Sequence, residues 1–258
     1  MNMHCFPAQD CAKYIILDLE TLADTHLYER YRRSDSRPAP MRWPFRRVVA
    51  ATVMAVTVEN GVWEVDDFRS FTDTNDFVLA RKLFNWFNER PRHRLCTFGG
   101  LNEDIPVLKT LAMENGLKLP PQLRHMEKDR LGFLHTDLAV VLRAGAGQFP
   151  HMTELSTRLG LPSKMAGSAG QVPYMVAEGR HQEAAAISEV DVLTTACLLA
   201  SHLSTLGEVI SVNAAHFVTM QAVRNRRPTA RYHRELGNYL AKARRQMEDE
   251  QRRWLETC

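Results

Sequence analysis

Little in this 258-residue chain marks a membrane or secreted protein. No apolar run approaches the roughly 18–20 residues of a membrane span. Met1 to Lys13 lacks the charged start and apolar core of a signal peptide. No CxxC pair occurs, and the five cysteines (Cys5, Cys11, Cys96, Cys197, Cys258) are scattered and odd in number. That argues against a zinc ribbon and for reduced thiols in a cytoplasmic protein. There is no internal repeat and no low-complexity linker. Hydrophobic residues make up 45% and charged residues 24%, near the globular average, so whole-chain disorder, collagen and coiled coil are excluded. A chain of this length buries roughly 70–75% of its unfolded surface and needs no staple to fold.

What the chain does have is unevenly placed charge. The net charge is +3, yet Thr25 to Arg47 holds seven arginines against Glu29 and Asp35, for +5. Val209 to Cys258 holds ten Lys/Arg against five acids, again +5, which leaves −7 for the rest. Two basic segments around an acidic middle fit a polyanion held against a site that itself needs carboxylates. Solvated surface arginines are the plainer reading of each segment alone. Trp43 and Phe45 among the arginines, and Tyr239 and Trp254 in the basic tail, suit stacking on single-stranded bases, although core packing is the commoner use of such side chains.

The apolar pattern gives an α/β order. Ala12 to Leu19 reads as a buried strand. Thr25 to Phe45 reads as a polar loop, since Pro38, Pro40 and Pro44 oppose regular structure. Arg47–Val58 and Val62–Phe71 read as antiparallel strands around an Asn60-Gly61 turn. Helical spacing covers Asp76 to Asn88, a short strand Arg94 to Phe98, and a helix Asn102 to Asn115 ended by Gly116. Leu134 to Asp137 reads as a short strand and Glu154 to Leu159 as a short helix closed by Gly160 and Pro162. Lys164 to Gly170 is a Gly/Ser-rich loop, Arg180 to Leu203 a long apolar helix, and the chain after Gly207 helical and basic. The simplest division is a domain over 1–207 with a basic helical C-terminal extension, 208–258, packed on it.

Four acids stand where chemistry could use them. Asp18 and Glu20 end an apolar strand two residues apart, so they share one face. Two such carboxylates repel and desolvate badly unless a cation joins them, and hard divalent ions take oxygen ligands of this kind. Taken alone, the pair is as easily a strand end emerging into solvent. Asp104 follows a strand and Gly99-Gly100 and opens a helix, where an acid also suits the helix dipole. Asp191 lies inside a long, mostly apolar helix and must be exposed, paired or metal-bound. Lys164 could offer a charge to phosphate or be a solvated loop lysine. Asp137 could support the site from behind or cap a strand end.

Their order resembles the DEDD exonucleases: Asp-x-Glu on a first strand, Asp at a strand-to-helix turn, Asp on a late helix. More closely, the sequence resembles bacterial predicted 3′-5′ exonucleases related to the proofreading domain of family B DNA polymerases. The motifs are Ile15-Ile16-Leu17-Asp18-Leu19-Glu20-Thr21, Thr97-Phe98-Gly99-Gly100-Leu101-Asn102-Glu103-Asp104, and Glu189-Val190-Asp191-Val192-Leu193. His135-Thr136-Asp137-Leu138, Leu159 to Lys164, Gly170-Gln171-Val172 and Glu178-Gly179-Arg180 also look familial. The resemblance spans roughly Tyr14 to Leu203. It implies a ribonuclease H-like (DnaQ-like) mixed sheet and a two-metal phosphodiesterase using Mg2+ or Mn2+. Asp18, Glu20 and Asp191 would hold the first ion, and Asp18, helped by Asp104 through water, the second. Thr21, Leu22, Phe98, Gly99, Gly100, Asn102 and Lys164 would contact the substrate, a single-stranded or frayed nucleic acid, DNA before RNA. A 3′-5′ exoribonuclease shares every motif, and a binding protein that kept the fold but lost turnover is the alternative of another class. No membrane partner is expected, and the oligomeric state is left open.

The pattern departs from the family at three places. Exonucleases of this type carry Tyr four residues, or His five residues, before the last Asp; here those positions are Ile187 and Ala186. Neither moves a proton, a help worth ~10²–10⁴ in rate. Ser188 is a poor base, His181 lies ~15 Å away along the helix, and His151 or Tyr174 would have to fold over the site. Gly99 stands where the family has Asn, and Glu103 where it has an aromatic residue.

Overall fold

A computed structural model describes residues 11–124, 135–143 and 145–257. The elements run β1 (Ala12–Ala23), α1 (Thr25–Ser34), a 3-10 turn (Trp43–Phe45), β2 (Arg46–Glu59), β3 (Val62–Thr72), α2 (Asp76–Asn88), β4 (Arg94–Thr97), α3 (Asp104–Asn115) and α4 (Pro121–Arg124). They continue with β5 (His135–Asp137), α5 (Leu138–Arg143), α6 (Met152–Leu159), a 3-10 turn (Ala169–Gln171), α7 (Val172–Ala177), α8 (His181–Thr205), α9 (Val212–Arg226) and α10 (His233–Thr257). Cys5, Cys258 and Leu134 lie outside the described residues.

The sheet order is β3-β2-β1-β4-β5. β1 pairs antiparallel with β2 and parallel with β4, and β4 pairs parallel with β5. This is the mixed, ribonuclease H-like sheet. Asn60 (φ 51°) and Gly61 (φ 77°) both take the left-handed conformation that a two-residue primed turn demands. Alternation along β1 sets two faces. Ile15, Leu17 and Leu19 pack with α2 and α3, whereas Tyr14 and Ile16 pack with α7 to α10. Asp18 and Glu20 continue the second set, so they face the α8 layer.

α8 is apolar and long enough to cross a membrane by length and composition, contrary to the expectation that no run approaches that limit; 89% of its most apolar stretch is buried in this protein. It is the central helix of one core. The segment after Gly207 joins that same core through Val209, Ala215, Met220, Val223, Tyr232, Leu236, Leu240 and Ala243.

One expectation is overturned in the connection after β1. Thr25 to Ser34 is a helix, not a loop, because all three prolines lie beyond Ser34. The Asp24 side chain accepts the Leu27 N–H at 2.8 Å, an N-cap, and Arg32 and Arg33 complement the dipole at the far end. Asn102 likewise falls before α3, which starts at Asp104 because Gly99 and Gly100 turn the chain first: Asn102 N–H donates to Gly99 O, and Ile105 N–H to Gly100 O.

Candidate active site

Three of the four acids converge. Asp18 and Glu20 come from β1, and Asp191 crosses above them on α8; one oxygen of each lies within 4.8 Å of the other two. Glu20 is only 4% exposed, and Asp18 and Asp191 are half-buried. Asp104 enters from the end of β4 on the first turn of α3. Burial, then the neighbouring charges of Asp104, Asp191 and Glu20, hold the Asp18 carboxyl well above its ordinary range. Burial and then Asp191 push Glu20 up to about 8. Burial, with Glu103, Asp137 and Asp191 nearby, pushes Asp104 up to about 7. The extra acid Glu103 therefore adds to the strain on Asp104.

Lys164 is the cation in contact with this cluster. Its Nζ donates to Asp191 at 2.8 and 3.1 Å. Burial raises the Asp191 carboxyl, and Lys164 partly opposes that rise. Burial alone would lower the Lys164 ammonium, but Asp191, Asp18 and Glu20 outweigh it and raise it. The loop holds Lys164 in a left-handed backbone conformation, φ 54°, which costs roughly 1–2 kcal/mol for a side-chain-bearing residue. Thr194, three residues after Asp191, anchors the loop by donating to Pro162 O at 2.7 Å.

The donor set fits hard divalent cations. Oxygen ligands from rigid elements, crowded close enough to oppose their own ionisation, are what Mg2+ or Mn2+ relieves. One lysine against four carboxylates leaves most of that charge uncompensated.

The second motif is built by a residue the sequence left open. Asp137 Oδ1 accepts Gly99 N–H at 2.8 Å and Ala139 N–H at 3.0 Å, and Oδ2 accepts Leu101 N–H at 2.9 Å. Asp137 thus caps α5 and clamps the turn that delivers Asp104. Gly99 sits at φ 79°. Glycine takes this region without the cost a side chain would bring. A Cβ on Gly100 would come within 2.7 Å of the Thr97 Cβ, which explains the glycine there. His135 donates to or accepts from Thr97 Oγ1 at 2.8 Å, and burial lowers its pKa to about 4, so it is neutral.

Among the expected substrate residues, Thr21 Oγ1 accepts from Arg46 at 3.1 Å, and Leu22 and Phe98 lean on the α8-side core. The Asn102 side chain is exposed and bonds to none of the described residues. Ile187 is 1% exposed within the core cluster that includes Val172 and Met175 of α7. Ser188 is buried and shares a hydrogen bond with Thr52 Oγ1 at 2.7 Å. Tyr174 is 74% exposed, and neither it nor His151 bonds to the four carboxylates.

Sequence reading missed Glu189. It is 5% exposed, accepts from Ser70 Oγ and Tyr232 Oη at 2.7 Å each, and pairs with Arg227. It ties α8 to β3 and to the α9–α10 connection.

A family described as a predicted 3′-5′ exonuclease related to the exonuclease domain of PolB matches residues 40–243. The chain belongs to this family. The match includes Asp104, Lys164, Asp191 and Ile187, runs through α9 into α10, and begins after Asp18 and Glu20. Among solved structures, product-bound exonuclease I is similar at 12% identity and TM-score 0.45, over 75% of this chain and 43% of that one. E. coli exonuclease I with a dT13 oligonucleotide is similar at 13% identity and TM-score 0.45, over 76% and 43%. Apo exonuclease I gives 13% and TM-score 0.41, over 76% and 47%. The chain thus spans under half the length of these structures. No curated protein matches it.

Proposed function

We propose that the protein is a divalent-metal-dependent 3′-5′ exonuclease acting on single-stranded or frayed nucleic acid, DNA before RNA. The observation that carries this is the convergence of Asp18, Glu20 and Asp191 within 4.8 Å, with Asp104 on the adjoining helix start. Asp18, Glu20 and Asp191 would hold one ion, and Asp18 and Asp104 a second, with Mg2+ or Mn2+ as candidates. Such ions supply charge stabilisation on the phosphate and make a bound water acidic.

The chain's own residues do the rest. When ionised, the carboxylates would repel a phosphodiester, a repulsion that bound cations would relieve. Lys164, 2.8 Å from Asp191, carries positive charge to the place where the phosphate would arrive and can turn from Asp191 to a phosphate oxygen. The Asp137 clamp fixes the Phe98–Asn102 turn against which the terminal nucleotide would rest. With Ile187 apolar and buried, no protein base stands one turn before Asp191. The chain then supplies no side chain there to take the proton, and turnover would be slower by the ~10²–10⁴ that such a base contributes.

That same buried Ile187 favours a second reading, a nucleic-acid-binding protein that lost turnover. A 20-mer labelled at its 5′ end, as DNA and as RNA, tests both. Stepwise shortening with Mg2+ or Mn2+, and immediate release of a 3′ label as mononucleotide, supports the exonuclease. A salt-sensitive complex with no shortening supports the binding protein. Shortening of the RNA alone would make it an exoribonuclease.

A further inference from the structure

Resting on the nucleic-acid reading above, we propose that the arm joining β1 to β2, residues 24–47, is a guide for the phosphate backbone of the single strand entering the site. The arm leaves β1 directly after Glu20, Thr21 and Leu22 and returns to β2 at Arg46, whose guanidinium donates to Thr21 Oγ1. Its 3-10 turn, Trp43–Phe45, packs on α3, the helix that begins with Asp104. A cleft of about 320 Å3 runs between arm and α3, lined in part by Leu27, Pro44, Arg46, Val107 and Thr110. The arm therefore leaves from the strand end that carries Asp18 and Glu20 and packs on the helix that Asp104 begins, although none of these acids lines the cleft itself.

Part of its charge is used inside the fold, Arg47 pairing with Asp76 at 3.8 Å and Arg46 with Thr21, but four arginines are not. Arg30, Arg33, Arg37 and Arg42 are exposed, and none pairs with a described carboxylate; of the arginines on α1, Arg32 alone is spent, on Glu29 at 3.1 Å. In the other basic segment Arg234 and Arg245 are also exposed and unpaired among the described residues, but much of the rest is engaged. Arg227 pairs with Glu189, Arg231 with Glu183 and Arg252 with Asp249, Arg244 lies over Phe217, and Lys242 reaches Gly160 O. Exposed arginines with no partner among the described residues thus lie on both segments, Arg234 and Arg245 on the tail and Arg30, Arg33, Arg37 and Arg42 on the arm, where four are grouped along one short connection.

The arm is also stiff. Tyr28 Oη donates to Ala39 O at 3.0 Å, and Ala39 N–H donates to Tyr31 Oη at 2.9 Å. Phe45 lies 5.1 Å from both tyrosine rings, and Asp24 N–H donates to Phe45 O at 2.7 Å. Yet α1 buries none of its ten residues. A helix that adds nothing to the core and carries the unpaired Arg30 and Arg33, held to a connection that carries Arg37 and Arg42, is built to present them. At 1.5 Å per residue it spans about 15 Å, a few phosphates of an extended strand. It supplies the counter-charge that a cluster of four carboxylates denies to an anionic substrate.

The test is binding without divalent ions, so it does not depend on turnover. Wild type, R30Q/R33Q/R37Q/R42Q and the matching four-lysine variant are titrated with dT20 and dT4 across a salt series. Four lost single-strand contacts should lower the log K against log [salt] slope for dT20 by about 2–3. The quadruple glutamine variant should lose the advantage of dT20 over dT4, and the lysine variant should keep both. R37E/R42E, outside any helix, should lower the slope again if the glutamine variant melts early. An unchanged slope, or no binding by the wild type at low salt, overturns the proposal. Arm-dependent binding with no shortening of DNA or RNA under Mg2+ or Mn2+ would retain the guide and remove the exonuclease; shortening with an arm-independent slope would do the reverse.

Discussion

Replacing Asp137 with Asn changes one oxygen to an amine while keeping the shape. Either rotamer must fail. Oδ1 receives Gly99 N–H and Ala139 N–H, and Oδ2 receives Leu101 N–H and the Thr97 hydroxyl, so an amide NH2 at either position faces donors. One rotamer takes the acceptor from the part-buried Leu101 N–H and the other from Gly99 and the buried Ala139 N–H, at roughly 1–3 kcal/mol, and the surviving bonds lose the strengthening of a charged acceptor. The loss totals about 2–5 kcal/mol, or a fall in Tm of about 5–15 °C for a chain of this size. Asp137 touches no reacting atom, but it fixes the turn that delivers Asp104, so KM for the 3′ nucleotide should rise and kcat fall together. Thermal melting and single-turnover cleavage of Asp137→Asn measure these. A Tm within 2 °C of wild type would refute the claim that this carboxylate is a clamp.

Other outcomes follow from the same geometry. Glu20 and Asp104 rise from ordinary carboxyl values to about 8 and about 7. The folded, metal-free protein therefore holds protons that the unfolded chain has lost, and its stability should fall as pH rises from about 4 to 8. Differential scanning fluorimetry should show that fall, millimolar Mn2+ should flatten it, and Asp18→Asn should raise the metal-free Tm at pH 8; a flat metal-free profile contradicts the crowding. Ile187→Tyr inserts a larger side chain at a position 1% exposed, so it should cost about 1–3 kcal/mol without raising the cleavage rate; a tenfold rate gain would show that this position opens onto the acids. Glu189→Ala leaves Arg227 and Tyr232 without their partner and should cost about 3–5 kcal/mol, visible as a lower urea midpoint. Glu189→Gln should cost less, and equal losses would deny the ion pair its role.

Much of the fold was legible because its signals are local. The Asn60-Gly61 turn, the 3.6-residue spacing of α2 and the apolar density of α8 each depend on a few neighbouring residues. The helix α1 was hidden because three prolines dominated the reading of a segment whose first ten residues contain none. In the site, the three carboxylate motifs stood out by order and spacing. Lys164 and Asp137 were singled out with their roles open, and Glu189 was missed, since each takes its meaning from partners distant in sequence: Asp191, Gly99 and Leu101, and the Arg227–Tyr232 return. Glu189 lies two residues from Asp191, about 200° around the helix, and so faces a different set of neighbours. Charge counting found both basic segments, but only the ion pairs show which arginines of each are engaged, Arg32 and Arg47 on the arm and Arg227, Arg231 and Arg252 on the tail.

The central claim is that the carboxylates of β1, α3 and α8 form one metal-dependent exonuclease site. It is tested most directly by following a 5′-labelled single-stranded 20-mer over a Mn2+ titration with wild type and Asp18→Ala side by side. Metal-dependent, one-nucleotide shortening by the wild type and none by Asp18→Ala, with oligonucleotide binding retained, is the expected result. Shortening by Asp18→Ala at the wild-type rate, or shortening by the wild type without a divalent ion, would contradict it.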